Sequence, residues 1–180
     1  MVPRVHDLRH GKWSAMRSLQ VLLVEDSRSD VRLICEAMIE IAIPIEMIVA
    51  RDGVEAMDFL HRSELGEDAR PDLIILDLNL PRKNGHEVLA EVKSSPGLKL
   101  IPVLVMTSSQ SDEDVSQAYR LNANCYITKP SDLTEYLNVV RSIEEFWFST
   151  ATLPGSLSHG MTRGASPRYT TGVPVFERTA

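Results

Sequence analysis

The sequence predicts an α/β fold, with five strands and five helices alternating as a three-layer (βα)5 sandwich around a parallel sheet. Three observations predict it. Short apolar runs recur at intervals that leave room for one helix between them. Several of these runs stop on a carboxylate, a hydroxyl or an ammonium, and Ser, Asp or Gly stands where the following helices would begin.

Order is expected to begin near Leu19, with a first strand over 20–25 in which Val21 to Val24 runs into Glu25 and Asp26. Ser27 can cap a helix over 28–41, whose apolar positions include Val31, Leu33 and Ile34 and which Pro44 stops. A second strand fits 45–50, and Asp52 with Gly53 opens a helix over 53–62. Pro71 favours an extended approach to a third strand over 72–77, where Leu73 to Leu76 runs into Asp77. A helix follows over 85–94, then a strand over 101–106 that runs into Thr107. Ser111, Asp112, Glu113 and Asp114 place a cap and three acids in the first turn of a helix over 112–121, where the helix dipole favours negative charge. A last strand over 125–128 leads through Thr128 into Lys129 and Pro130, and a last helix covers 131–148.

In 180 residues this amounts to one domain with extra chain. Residues 1–18 carry Arg4, Arg9, Lys12 and Arg17 against Asp7 and are expected to form a basic, flexible extension. The domain is expected over 19–150, and 151–180, rich in Pro, Gly, Ser and Thr, is expected to be a disordered tail. A net charge of -6 argues against a nucleic acid partner, because phosphate backbones require clustered Lys and Arg. Cys35 and Cys125 have no metal-like spacing and are expected to be reduced, buried thiols. No apolar stretch has the roughly 20 residues of a membrane helix, and no secretory signal is visible, so the expected location is cytoplasmic.

In an open parallel sheet all strand ends of one kind face the same way, so Glu25, Asp26, Asp77, Thr107 and Lys129 should meet in one crevice. Three carboxylates there repel one another and call for a cation. Their hard oxygens suit Mg²⁺, with the backbone carbonyl of Asn79 as a further ligand. Asp77 would be the nucleophile toward a phosphoryl group, with Thr107 and Lys129 on its oxygens. Each residue alone has an ordinary structural reading as a cap or a turn, and it is their joint occurrence that points to phosphoryl chemistry.

The runs Leu22-Leu23-Val24-Glu25-Asp26, Asp72 to Pro81, Asn84-Gly85, Met106-Thr107-Ser108 and Tyr126-Ile127-Thr128-Lys129-Pro130 resemble the receiver domain of two-component response regulators. The resemblance implies a flavodoxin-like sheet of order 2-1-3-4-5, Asp77 as acceptor from a sensor histidine kinase, Mg²⁺ held through Glu25, Asp26 and Asp77, and a cis peptide before Pro130. It further implies that Thr107 and Tyr126 form the switch. The stretches Asp77 to Leu89, Asn122 to Tyr126 and Ile143 to Trp147 are similar to the small regulators of phytochrome-type photoreceptor kinases, which have no output domain.

The last helix carries more apolar residues than one core-facing stripe uses, so a homodimer through the fourth helix, fifth strand and fifth helix is expected, with Tyr136, Val139 and Phe146 as leading contacts. Two rival functions are a phosphorylation-independent docking module and a haloacid-dehalogenase-like phosphatase. The second class wants an acid where Asn79 stands. His86 is expected on the exposed start of the third helix.

Overall fold

The computed structural model describes residues 18–39 and 44–154. Residues 1–17 of the extension expected over 1–18, and 155–180 of the tail expected over 151–180, lie outside the described residues. Five strands, β1 (Leu19–Val24), β2 (Ile45–Ala50), β3 (Leu73–Leu76), β4 (Val103–Thr107) and β5 (Cys125–Thr128), alternate with α1 (Arg28–Ile39), α2 (Gly53–Glu64), α3 (Gly85–Ser94), α4 (Asp112–Arg120) and α5 (Leu133–Ile143). The sheet order is β2-β1-β3-β4-β5, with every pairing parallel.

Alternation along the buried strands assigns the two faces. Leu22 and Val24 of β1, with Ile74 and Leu76 of β3, pack beside Met57, Leu60, Val88 and Leu89 of α2 and α3. Val21 and Leu23, with Leu73 and Ile75, point the other way into a second cluster with Val31 and Ile34 of α1 and Tyr136, Val140 and Ile143 of α5. Every residue of β3 and β4 is buried, as a central parallel strand covered on both faces requires. The outer strands are less covered: β5 is half-buried throughout and β2 is largely so. The order makes these two the sheet edges.

The helix starts follow the sequence signals. Asp52 accepts from the amides of Val54 and Glu55, Ser111 from those of Glu113 and Asp114, and Asp132 from those of Thr134 and Glu135. Asn84 and Glu87 form a reciprocal capping box at α3. Gly85, the next residue, lies against the chain that leaves β3: a Cβ there would collide with the carbonyl of Asp77 and the Cα of Leu78. Because backbone rather than a movable side chain fills that space, Gly85→Ala is expected to cost about 1–3 kcal/mol. Urea unfolding of the two proteins measures it, and equal midpoints would contradict it.

The last helix is not a single α-helix over 131–148. It becomes π-helical over Glu144–Thr150, where Ala151 N–H donates to the Phe146 carbonyl five residues back. This wider turn leaves Trp147 and Phe148 packed against the α1/α5 cluster and Phe146 55% exposed, edge-on to Trp147. Leu153 is buried, so packed chain continues past 150. Tyr136, expected at the dimer surface, is 3% exposed and belongs to the core, because its position on α5 faces the sheet. His86 is not on an exposed helix start: its side chain is 17% exposed and turned toward Asp114 at 3.9 Å, between α3 and α4. Cys35 and Cys125 are free thiols, half-buried rather than buried, and desolvation raises the pKa of both.

Candidate functional site

The sheet order reverses direction at β1 and β3, and their carboxyl ends open into the crevice where ligands bind in such folds. Val24 pairs with Leu76, so the next residues, Glu25 and Asp77, leave the sheet side by side. The Asp77 amide donates to the Val24 carbonyl at 3.0 Å, and the Glu25 amide to the Ala50 carbonyl at 2.9 Å. On the other side Thr107 of β4 pairs with Thr128 of β5, and the Lys129 amide donates to the Thr107 carbonyl at 2.8 Å. Backbone ladders therefore set the positions from which the acids, the hydroxyl and the ammonium project.

Glu25, Asp26 and Asp77 offer carboxylate oxygens that all lie within 4.8 Å of one another. Glu25 is 1% exposed and Asp77 5%, while Asp26 is open to solvent. At that spacing the buried pair repels by about 3 kcal/mol at an effective dielectric near 20. Burial pushes the Glu25 carboxyl up to about 7, the Asp77 charge adds to the rise, and Lys129 opposes it. Hard oxygens, clustered negative charge and a buried acid short of counter-charge fit a small divalent cation such as Mg²⁺.

Lys129 Nζ donates to Glu25 Oε2 at 2.6 Å, Asp77 Oδ2 at 2.7 Å and Asp30 Oδ2 at 2.8 Å. These charge-assisted bonds hold the ammonium well above its ordinary range against the opposing effect of desolvation. The peptide before Pro130 is trans, as are all described peptide bonds, which corrects the expected cis bond. The trans form is the intrinsically preferred one, and the lysine reaches inward through its carboxylate partners.

Asp77 Oδ1 accepts from the Asn79 amide at 3.1 Å, which turns the loop back under the carboxylate. Thr107, with no exposed surface, places Oγ1 3.4 Å from Asn79 Nδ2 and from the Ser109 amide. Tyr126, half-buried, donates its hydroxyl to the Ser109 carbonyl at 3.0 Å, so β5 is tied to the loop that begins at Thr107. Farther along the Asp77 loop, Arg82 has φ 63 and pairs with Asp52, the cap of α2.

Asp30 was missed by sequence reasoning, which assigned Glu25 and Asp26 to the cation and Ser27 to the cap of α1 and gave Asp30 no role. The signal was its place three residues after Ser27, a capping-box position. The Asp30 amide does donate to Ser27 Oγ at 3.3 Å, and its carboxylate divides between two partners, with Oδ1 accepting from Ser27 Oγ at 3.1 Å and Oδ2 from Lys129 Nζ at 2.8 Å.

Val139 is half-buried and Phe146 exposed, with Leu133 (56%) on α5 and Tyr119 (51%) on α4 as further exposed apolar groups. Among the described residues no helix is long and apolar enough to cross a membrane.

The profile of the response regulator receiver domain matches residues 21–141. Response regulator Rcp1 of Synechocystis sp. is 49% identical over 137 residues, 76% of this chain and 93% of that protein. The crystal structure of the phosphorylated cyanobacterial phytochrome response regulator RcpA superposes with a TM-score of 0.73 at 50% identity, covering 77% of this chain and 99% of that one. The Mn²⁺-bound form of Rcp1 gives 0.72 at 49%, covering 76% and 99%. Fold, site and likeness agree, and the chain belongs to the response regulator receiver domain family, as a phospho-acceptor signalling protein closely related to the phytochrome-linked regulators Rcp1 and RcpA.

Proposed function

We propose that Asp77 accepts the phosphoryl group, from a sensor histidine kinase of the phytochrome photoreceptor type, and that Mg²⁺ is held by Glu25, Asp26, Asp77 and the Asn79 carbonyl. The observation that carries this is the convergence on Lys129 Nζ of Glu25 and Asp77, which lie 104 and 52 residues away in sequence. A bound Mg²⁺ would offset the carboxylate charge and polarise the phosphoryl oxygens. An Asp77 carboxylate oxygen attacks the phosphorus of phosphohistidine. An O–P bond forms as the N–P bond breaks, and the bonding pair returns to the imidazole nitrogen. Lys129 supplies a fixed positive charge to the transferring group, and the Thr107 hydroxyl supplies a hydrogen bond once the β4–α4 loop draws in.

That movement would reach the surface through Tyr126, whose hydroxyl already holds the same loop at Ser109. The surface served is the α4–β5–α5 face. It is read as the contact of a homodimer through Val139 and Phe146, without the buried Tyr136. RcpA and Rcp1 support the kinase class, and the Mn²⁺-bound form of Rcp1 supports a divalent cation. A haloacid-dehalogenase-like phosphatase is set aside by the family match, and a phosphorylation-independent docking module gains nothing from a site in which each expected group is present.

The test is transfer of radiolabelled phosphate from a panel of autophosphorylated histidine kinases that includes a phytochrome, with and without Mg²⁺, followed by light scattering of the products. Mg²⁺-dependent transfer from the phytochrome and a mass of two chains are expected. Transfer only from other kinases would remove the photoreceptor assignment, and a single-chain mass at tens of micromolar would remove the dimer.

A further inference from the structure

An ammonium group has three hydrogens, and in this protein three carboxylates take them. Glu25 and Asp77 are accounted for by the proposed reaction, and Asp30 is not. We propose that Asp30 is a positioning residue that competes with the phosphoryl group for Lys129, holding the ammonium toward α1 until the group arrives. The inference rests on the reading of Asp77 as the acceptor.

With its donors filled, Lys129 can bond a phosphoryl oxygen on Asp77 only by giving up a partner. The three differ in what release entails. The Glu25 side chain is 2% exposed, so its freed oxygen would have little water to take the place of the ammonium. Asp77 carries the incoming group itself. The Asp30 side chain is 30% exposed, so its released oxygen can be rehydrated, and its other oxygen keeps partners: Ser27 Oγ donates to Oδ1 at 3.1 Å and Ser29 Oγ lies 3.5 Å from it. Lys129 holds the Asp30 carboxyl below the ordinary range, as an attraction between the two groups requires.

The anchor is also well placed. Asp30 stands in the first turn of α1, and the residues that follow it, Val31 and Ile34, are buried against the sheet. The carboxylate is thus carried by packed helix rather than by a mobile loop. A partner fixed in this way opposes the movement of Lys129 toward the phosphoryl group on every cycle, and its removal should strengthen the hold on that group.

The test uses beryllofluoride, a phosphoryl mimic, with saturating Mg²⁺, titrated calorimetrically into the full chain as wild type, Asp30→Asn, Asp30→Ala and Asp77→Asn. Loss of one charge-assisted bond from the unliganded state should tighten binding roughly tenfold in Asp30→Ala, and less in Asp30→Asn, whose amide oxygen still accepts a hydrogen bond. The ¹⁵N resonance of the Lys129 ammonium should shift in both Asp30 variants before beryllofluoride is added, and a merely structural role for Asp30 would leave it in place. Binding to wild type but equal or weaker binding to the Asp30 variants overturns this inference alone. Equal binding to wild type and Asp77→Asn, or to neither, overturns the acceptor reading and this inference with it.

Discussion

Asp77→Asn is expected to fold as the wild type does and to take up less than about one hundredth of its phosphate, because an amide oxygen is too weak a nucleophile to form the acyl phosphate. The fold should survive because little of it depends on the charge. The amide oxygen can still accept from the Asn79 N–H, now 3.1 Å from Oδ1, and the strand is held by pairing of Leu73 to Leu76 with β1 and of Ile74 to Leu76 with β4. One of three negative partners of Lys129 is lost, and so is one of three acids around the proposed metal. Mg²⁺ affinity should therefore fall, but transfer should fall further, and saturating Mg²⁺ should not restore it. Kinase-driven labelling and calorimetric Mg²⁺ titration of the same preparation separate the two effects. Labelling at the wild-type level would place the acceptor elsewhere.

Lys129→Met is expected to be the most destabilising of the site substitutions, costing about 3–5 kcal/mol in the absence of divalent cations. Methionine fills much of the space of the lysine stem but brings no charge, leaving Glu25 and Asp77, 1% and 5% exposed, facing each other without a cation. The Glu25 carboxyl already stands near 7 because of burial, with Lys129 holding it down. Without the lysine it rises further.

The sign of the pH dependence follows. A group whose folded pKa is raised binds its proton more tightly when folded, so stability is fully present below the ordinary value near 4.5 and declines as pH climbs through the folded value. The variant should thus lose more stability relative to wild type at pH 8 than at pH 5. Added Mg²⁺ should recover part of the loss by supplying positive charge to the same oxygens. Urea midpoints at both pH values, with chelator and with Mg²⁺, measure this. A variant as stable as wild type at pH 8 in chelator would show that the ammonium does not neutralise the crevice. Phosphoryl transfer should drop by about 10²-fold even with Mg²⁺ present, the usual order for loss of one fixed charge on a developing anion.

Sequence patterning carried the fold because its signals are local. Runs such as Leu73 to Leu76, caps such as Asp52 and Ser111, and Pro71 each act within a few residues, and all agree on alternating strand and helix. The site was legible for a related reason: Thr107 ends a strand and Glu25, Asp77 and Lys129 directly follow strand ends, and a parallel sheet gathers strand ends by construction.

What stayed hidden depends on side-chain direction across the chain. Asp30 looks like any acid in a first helical turn until Lys129 arrives from 99 residues away. Tyr136 reads as a surface aromatic until α5 packs it into the core with Val140 and Ile143, where its hydroxyl has no hydrogen-bond partner. His86 lies at a polar helix start, yet packing of α3 against α4 encloses it beside Asp114. The change from α to π winding at Glu144 has no separate sequence mark, since the same aromatics suit either helix, and in the π-helical segment Trp147 and Phe148 pack against the core.

The central claim, that the crevice makes Asp77 a phosphoryl acceptor, is tested most directly by trapping the product. The protein is phosphorylated by its kinase in Mg²⁺ and reduced with borohydride, which converts an acyl phosphate of aspartate to homoserine, and the altered residue is located by peptide mass spectrometry. The expected result is homoserine at position 77 alone, absent when Mg²⁺ is chelated. Homoserine at Asp26 or Asp30, or the same yield at position 77 without divalent cation, would contradict it.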